Sequence, residues 1–466
     1  MNDAAPGTRV QHVAEGPGEI LELRSGGRAR VRFDRRPTLT RTVELSALLP
    51  CVPSSSPAKP RVGRPRSKKR HPAEVYDCRQ TVEALRLGVV PSTHAQAYTV
   101  GRERELASLR AMLDEAASTG SGQASGLRLL WGDYGAGKTH LLEVLEQLAL
   151  ERGFITARTI LDADEIPPSH PRRLYRALVT RLRYPDDAEV GLEPLFRKLE
   201  GSAAHGSGRG ARSSRFLSPA LHVRRVGAPA LAGLFSELAS GAPFEQALRA
   251  EMERYLRFLR WDGPGLLALP DFRTYGRVYV HLLGTIAAWA KDAGYRGLLV
   301  LLDEVEGVQA LDSVHARLAH DVLRHFAAAT LPATSLRFDP EDEKSLYRGG
   351  HEVLRKLPLR FDEKQPLCVT MALTPLPEVE ATISAMLDSE QASVRLSPLG
   401  RAELAELTAR VASIYGRAYP GSTSPDTERL LSLVRSAVNG QDDPRSVIRA
   451  VAGFLDLHRL ARPAGD

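Results

Sequence analysis

Residues Gly132-Asp133-Tyr134-Gly135-Ala136-Gly137-Lys138-Thr139 spell G-x-x-x-x-G-K-[ST], and no other stretch constrains the fold as strongly. The glycines let consecutive backbone N–H groups turn inward around a phosphate, and a helix starting at the lysine adds its positive dipole end. Such a loop needs a strand before it and a helix after it. Leu127-Arg128-Leu129-Leu130-Trp131 supplies the hydrophobic strand, and His140 to Leu148 reads as an amphipathic helix. Lys138 is placed to reach the β and γ phosphates of ATP, and the Thr139 hydroxyl to ligate Mg²⁺. The cradle is expected to run from Gly132 through His140.

A second run, Gly297-Leu298-Leu299-Val300-Leu301-Leu302-Asp303-Glu304, ends an apolar strand in two acids. Consecutive apolar residues describe a strand buried on both faces, so the acids emerge at its C-terminal edge. Asp303 is expected to hold the Mg²⁺ water shell and Glu304 to act as general base on the attacking water. Glu306 is read as a neighbouring structural acid. The pattern resembles the additional-strand ATPases, in which the strand after the acid strand lies between it and the P-loop strand. The resemblance implies that Thr374, ending Leu367 to Thr374, senses the γ-phosphate, with Thr370 as the alternate. Pro444 suits a helical first turn with Asp443 as N-cap. Arg445 is then expected to pack over the nucleotide from a C-terminal helix, with Arg449 as its helical neighbour. Lys138, Glu304, Thr374 and Arg445 form the expected catalytic set.

The N-terminal part reads differently. Residues 8–13, 18–23, 29–33 and 41–45 are short alternating runs with Gly16-Pro17-Gly18, Ser25-Gly26-Gly27 and Arg35-Arg36-Pro37 between them, a four-strand meander that closes as an SH3-like barrel. This segment resembles Tudor/KOW-like modules. Residues 52–72 are a Pro/Ser/basic linker unable to build a core. The net charge of +7 is concentrated here, with seven basic residues from Lys59 to Arg70 and no acid among them. Gly63-Arg64-Pro65-Arg66 resembles the core of an AT-hook. With Arg61, Lys68, Lys69 and Arg70 it forms the expected DNA-binding set, a thin segment suited to a narrow minor groove. The bland alternative is a solvated tether. Cys51, Cys78 and Cys368 are too scattered for a metal site or a disulfide framework. No apolar run reaches the roughly 18 residues of a membrane span, and no signal pattern opens the chain, so a cytoplasmic protein is expected.

Together T-V-G-R-E-R-E-L, the P-loop, L-L-V-L-L-D-E-V-E and N-G-Q-D-D-P-R-S-V-I-R look like an AAA+ ATPase of the initiator and helicase-loader branch. The resemblance implies that Val100, Gly101 and Arg102 lie against the adenine. E-A-L-R-L-G-V-V-P, W-G-D-Y-G-A-G-K-T-H and D-E-V-E are similar to the BREX-type ATP-binding proteins (BrxD-like) of bacterial phage defence. That resemblance implies an ATPase working beside a helicase on DNA, as its loader; an ATP-dependent homo-oligomer is a separate expectation. The expected fold is an α/β P-loop ATPase core (73–380) with a parallel sheet, a helical insertion (about 165–285), a C-terminal helical lid (381–466) and the N-terminal barrel (1–51). Arg317, Arg324 and Arg348 are candidate arginine fingers. The alternative is a nucleotide-gated scaffold with negligible turnover.

Overall fold

The computed structural model describes residues 8–12, 16–25, 27–33, 40–44, 48–50, 72–118, 126–200, 216–226, 229–242, 246–263, 269, 275–340, 357–360, 366–388, 390–422, 425–437 and 443–461. The chain divides into two compact units, Met1–Lys69 and Arg70–Asp466.

The first unit is an antiparallel sheet of β1 (Arg9–His12), β2 (Gly16–Arg24), β3 (Arg28–Phe33), β4 (Thr40–Glu44) and β5 (Leu48–Pro50), in the order β4-β3-β2-β1-β5. Alternation along β3 sends Ala29, Val31 and Phe33 into a small core with Val10 and Ile20, and leaves Arg28, Arg30 and Arg32 outside. Two differences from the meander read in the sequence stand out. Gly16 to Gly18 lie inside β2, paired with His12 to Val10, instead of forming a turn. A fifth strand exists, three residues without alternation that end in a proline, tolerated because β5 is an edge paired only to β1. Three arginines of this sheet have partners, two across strands and Arg24 within β2. Arg32 meets Glu19 at 2.9 Å, Arg24 meets Glu22 at 3.7 Å, and Arg30 donates to the Thr40 hydroxyl at 2.9 Å.

The second unit begins with α1 (Pro72–Leu87) and α2 (Glu103–Ala117), followed by β6 (Leu127–Trp131), α3 (Lys138–Glu151) and β7 (Ile155–Ile160). Helices α4 (Pro171–Val179), α5 (Glu193–Glu200), α6 (Ser218–Val226), α7 (Pro229–Ala239), α8 (Gln246–Phe258) and α9 (Gly276–Asp292) precede β8 (Leu298–Asp303) and α10 (Ser313–Thr330). Then come β9 (Leu367–Leu373), α11 (Pro377–Met386), β10 (Ser393–Arg395), α12 (Arg401–Ala418), α13 (Thr427–Ala437) and α14 (Pro444–Leu460). No helix among the described residues is long and apolar enough to cross a membrane.

The sheet is parallel throughout, in the order β10-β6-β9-β8-β7. Residues of β6, β8 and β9 are buried along their whole length, as strands covered on both faces must be. The helical insertion leaves from β7 and returns to its neighbour β8, so the sheet is unbroken by it. Two elements cross the domain limits read from sequence. β10 lies beyond residue 380 yet pairs with β6, extending the sheet to Arg395. Helix α1 buries Cys78, Val82 and Leu85 against Leu404, Val411, Val447 and Val451 of the C-terminal helices, and Arg86 meets Asp456 at 2.7 Å.

Candidate functional site

The P-loop joins β6 to α3 with Gly135 and Gly137 in the left-handed region, at φ 82° and 98°. A Cβ on Gly135 would lie 2.6 Å from a carboxylate oxygen of Asp443, so glycine is required there by packing as well as by conformation. A Cβ on Gly137 would meet nothing within 4 Å, which leaves the inside of the loop open to a phosphate. Lys138 is buried, and its Nζ donates to the carbonyls of Gly132 (2.7 Å) and Asp133 (3.3 Å) and to the Thr374 hydroxyl (3.0 Å). Thr374 reaches it because β9 lies between β6 and β8, placing the residue after β9 beside the loop. The Thr374 hydroxyl in turn donates to Glu306. Thr370 is fully buried at mid-strand, opposite Arg128 and Leu301, and meets none of these groups.

Asp303 ends β8 with only 1% of its surface exposed and accepts the Glu304 N–H at 3.1 Å. Glu304 adopts a left-handed conformation, φ 57° and ψ 41°, which turns the chain sharply out of the strand. That conformation is strained for a side-chain-bearing residue, and such strain concentrates at functional sites. Partial burial, reinforced by the charges of Asp303 and Glu306 and opposed by Lys138, raises the Glu304 carboxyl above its ordinary pKa. This moves it toward the range in which a general base works well.

Arg158, absent from the sequence reading, sits behind both halves of the site. From β7 it donates to Glu143 at 2.7 Å and to the Thr139 carbonyl at 3.3 Å, and lies 3.7 Å from Asp303. It therefore ties the start of α3 to the end of the acid strand. The available signal was Glu143 and Glu146, two acids three residues apart and interleaved with the apolar residues of an amphipathic helix. Both are buried, and buried acids need a cation. Glu146 is answered by Arg183 at 3.3 Å and by the Thr156 hydroxyl at 3.1 Å.

A cavity of about 370 Å³ opens over the P-loop, within the range of small-molecule sites. Its lining includes the loop with Asp303, Glu304 and Glu306. It also includes apolar side chains, Leu85, Val90, Tyr98, Val100, Leu407 and Ile448, drawn from α1, the segment after it, α12 and α14. The contribution of α1 went unread because its apolar residues look like ordinary core in isolation.

Residues 75–212 match the family model of the BREX system ATP-binding proteins BrxC/D. The match takes in α1, the P-loop and β7, covers just under a third of the chain and stops well short of the acid strand. No curated protein sequence matches the chain.

Within the segment matched to the BREX proteins, Val100 and Arg102 line the cavity. Gly101 has φ 62°, with Glu403 3.0 Å from where its Cβ would stand. The Arg102 guanidinium is largely committed to the protein. It donates to Ser397 O at 2.7 Å and Ala136 O at 3.2 Å and touches Glu105 at 3.4 Å, so it fastens the P-loop to the segment after β10. Burial lowers its pKa below the usual guanidinium value. His140 also braces the structure. The Thr99 hydroxyl donates to Ala95 O at 2.9 Å, so His140 Nε2, 2.9 Å from that hydroxyl, is the donor between them. The ring packs on Tyr98 at 4.5 Å between centroids, and burial with the nearby Arg102 charge pushes its pKa down to about 4.

Arg445 lies at the cavity, where it donates to the Tyr134 hydroxyl, and Arg449 packs against Gly88. Arg324 lies over Phe338 at 4.3 Å, and Arg317 is exposed on α10. Arg348 and the whole expected DNA-binding set, Arg61 to Arg70, lie outside the described residues.

Proposed function

We propose that this chain is an Mg²⁺-dependent ATPase of the AAA+ type, in the initiator and helicase-loader branch. In this reading it acts on DNA in the cytoplasm as the ATP-binding component of a BREX-like phage-defence system, beside a helicase or another defence protein. The observation that carries the catalytic part is the Lys138–Thr374 contact at 3.0 Å, with Asp303 and Glu304 lining the same cavity. The apolar lining residues suit a base, and the P-loop N–H groups and Lys138 suit a triphosphate. The Thr139 hydroxyl and the Asp303 carboxylate are the hard oxygen donors that fit Mg²⁺. When bound, Mg²⁺ neutralises charge on the β and γ oxygens. Glu304 orients the attacking water and takes its proton, Thr374 hydrogen-bonds the γ-phosphate, and Lys138 stabilises its charge.

Two substitutions test this. Lys138→Ala should abolish ATP binding, whereas Glu304→Gln should keep binding and lose turnover. Wild-type hydrolysis by Glu304→Gln would remove Glu304 from its role. A second reading, a nucleotide-gated scaffold, is favoured by one observation: Arg445 is held by Tyr134. Turnover measured across protein concentrations separates the two, since shared sites in a homo-oligomer make specific activity rise with concentration. The basic segment Arg61 to Arg70 supplies the DNA contact in this proposal. Deleting residues 53–70 should then reduce the salt dependence of duplex binding and leave nucleotide affinity unchanged.

A further inference from the structure

We infer that the outward face of α8, in the helical insertion, is a binding surface for single-stranded nucleic acid centred on Phe258. The side chain of Phe258 is 79% exposed, the highest value among the exposed large apolar residues of the described chain. It stacks on half-buried Tyr255 at 6.2 Å and 29° between planes, so its outer ring face is presented on a rigid support. Met252 and Leu256 of the same helix are buried, which fixes α8 against the core and points Arg254 and Phe258, one turn apart, outward.

Around this ring the charge is positive. Arg254, Arg257 and Arg260 are exposed, and their guanidinium groups make no ion pair or hydrogen bond among the described residues. Other arginines of the described chain are answered by acids, such as Arg32 by Glu19 and Arg197 by Glu189, whereas here three unanswered ones surround one exposed ring. On α8 itself the inner arginine, Arg249, reaches Glu253 at 3.4 Å. Glu251 and Asp262 are the exposed acids nearby and do not outnumber the three arginines. Arg260 is also one of the few side-chain-bearing residues with positive φ, 58°, at the turn where Trp261 N–H returns to Leu256 O at 2.9 Å. The fold thus holds an arginine in a strained turn directly after the exposed ring. An aromatic platform ringed by uncommitted arginines fits a polyanion with splayed bases, since every base has a face to stack and every nucleotide a phosphate. An apolar protein groove would not use three unpaired guanidiniums.

This deepens the DNA-directed reading above and rests on it, adding a single-strand contact in the insertion to the duplex contact of the basic segment. The test uses the full chain and a fluorescein-labelled twenty-residue oligo-dT, read by anisotropy over a salt series. The triple substitution R254E/R257E/R260E should weaken binding at least tenfold and make the log–log salt slope shallower by about 2, at about 0.7 per phosphate contact on a single strand. Phe258→Ala should weaken binding about fivefold or more, while Phe258→Tyr stays near wild type. An oligonucleotide carrying 2-aminopurine should be quenched by the wild type and less by Phe258→Ala. All four side chains are exposed, so thermal unfolding midpoints and ATP affinity should not move. If the variants bind oligo-dT with wild-type affinity and slope, the proposal is overturned and the face is open to a protein partner. If the wild type binds no oligo-dT yet hydrolyses ATP, this inference falls while the ATPase reading stands.

Discussion

The Arg445 guanidinium donates to the Tyr134 hydroxyl at 2.6 Å and lies 5.3 Å from the centre of its ring. Tyr134 belongs to the P-loop and Arg445 to the first turn of α14, whose N-cap Asp443 presses on Gly135. The C-terminal helices thus grip the phosphate loop through a cation and a carboxylate at adjacent points. Turning Arg445 Nη1 toward a phosphate would cost its bond to Tyr134. Tyr134→Phe keeps the ring and removes the acceptor, so it should tighten ATP binding by about 0.5–1 kcal/mol, two- to fivefold. Arg445→Ala should lower turnover at least tenfold. Titration with a fluorescent ATP analogue checks the first outcome. Unchanged affinity in Tyr134→Phe would mean that the contact does not oppose nucleotide.

Glu304 and Glu306 are coupled by charge. The Glu306 carboxylate helps hold the Glu304 carboxyl above its ordinary pKa, after burial and Asp303. A base must be ionised to act, so the acid limb of kcat/KM should lie above the usual glutamate range. Glu306→Gln removes the repelling charge yet keeps an oxygen that accepts from Thr374. The Glu304 pKa should therefore fall and activity persist to lower pH. The limb measured in both proteins decides; a limb that does not move, or moves upward, contradicts the coupling.

What the sequence made legible follows from locality. The P-loop, β8 and β9 were readable because each is a contiguous signal: a glycine pattern, or an apolar run ending in acids or a hydroxyl. Their order in the sheet followed from the resemblance to additional-strand ATPases, and β9 does lie between β6 and β8. What stayed hidden depends on residues far apart in sequence. Helix α1 packs on helices more than 300 positions away, β10 is three residues long, and β5 has neither length nor alternation. The resemblance of its motif implied a place for Arg102 against the adenine, and the structure puts it in the cavity lining with carbonyl partners of its own. Its carbonyl partners, one of them Ser397, appear only once β10 is placed next to β6.

Arg158 is the hidden residue with the largest expected effect on stability. It is the nearest cation to Glu143, whose side chain is 9% exposed, and it also reaches Asp303 and the Thr139 carbonyl. Arg158→Ala leaves that acid buried and unpaired, which costs about 3 kcal/mol for a pair of this kind. Arg158→Lys restores the charge without the planar fork, so it should recover part of the stability and less of the Mg²⁺-dependent turnover. Urea unfolding of the three proteins, with Mg²⁺ titrations of activity, separates support of the fold from support of the site. Equal midpoints for wild type and Arg158→Ala would contradict the assignment.

Thr370 and Thr374, four residues apart on one strand and its exit, give the cleanest test of which hydroxyl serves the nucleotide. The Thr370 hydroxyl is buried without a hydrogen-bond partner among the described residues. A valine there has nearly the same shape and removes a polar group that folding leaves unsatisfied. Thr370→Val should therefore stabilise the protein by about 1 kcal/mol and leave hydrolysis unchanged. Thr374→Val strips the hydroxyl that links Lys138 to Glu306. It should change stability little, because Lys138 keeps two carbonyl partners, yet lower turnover by about tenfold to a hundredfold. Thermal unfolding and steady-state hydrolysis on the two variants read both effects. Loss of turnover in Thr370→Val with normal turnover in Thr374→Val would reverse the assignment and require the strand to shift register when nucleotide binds.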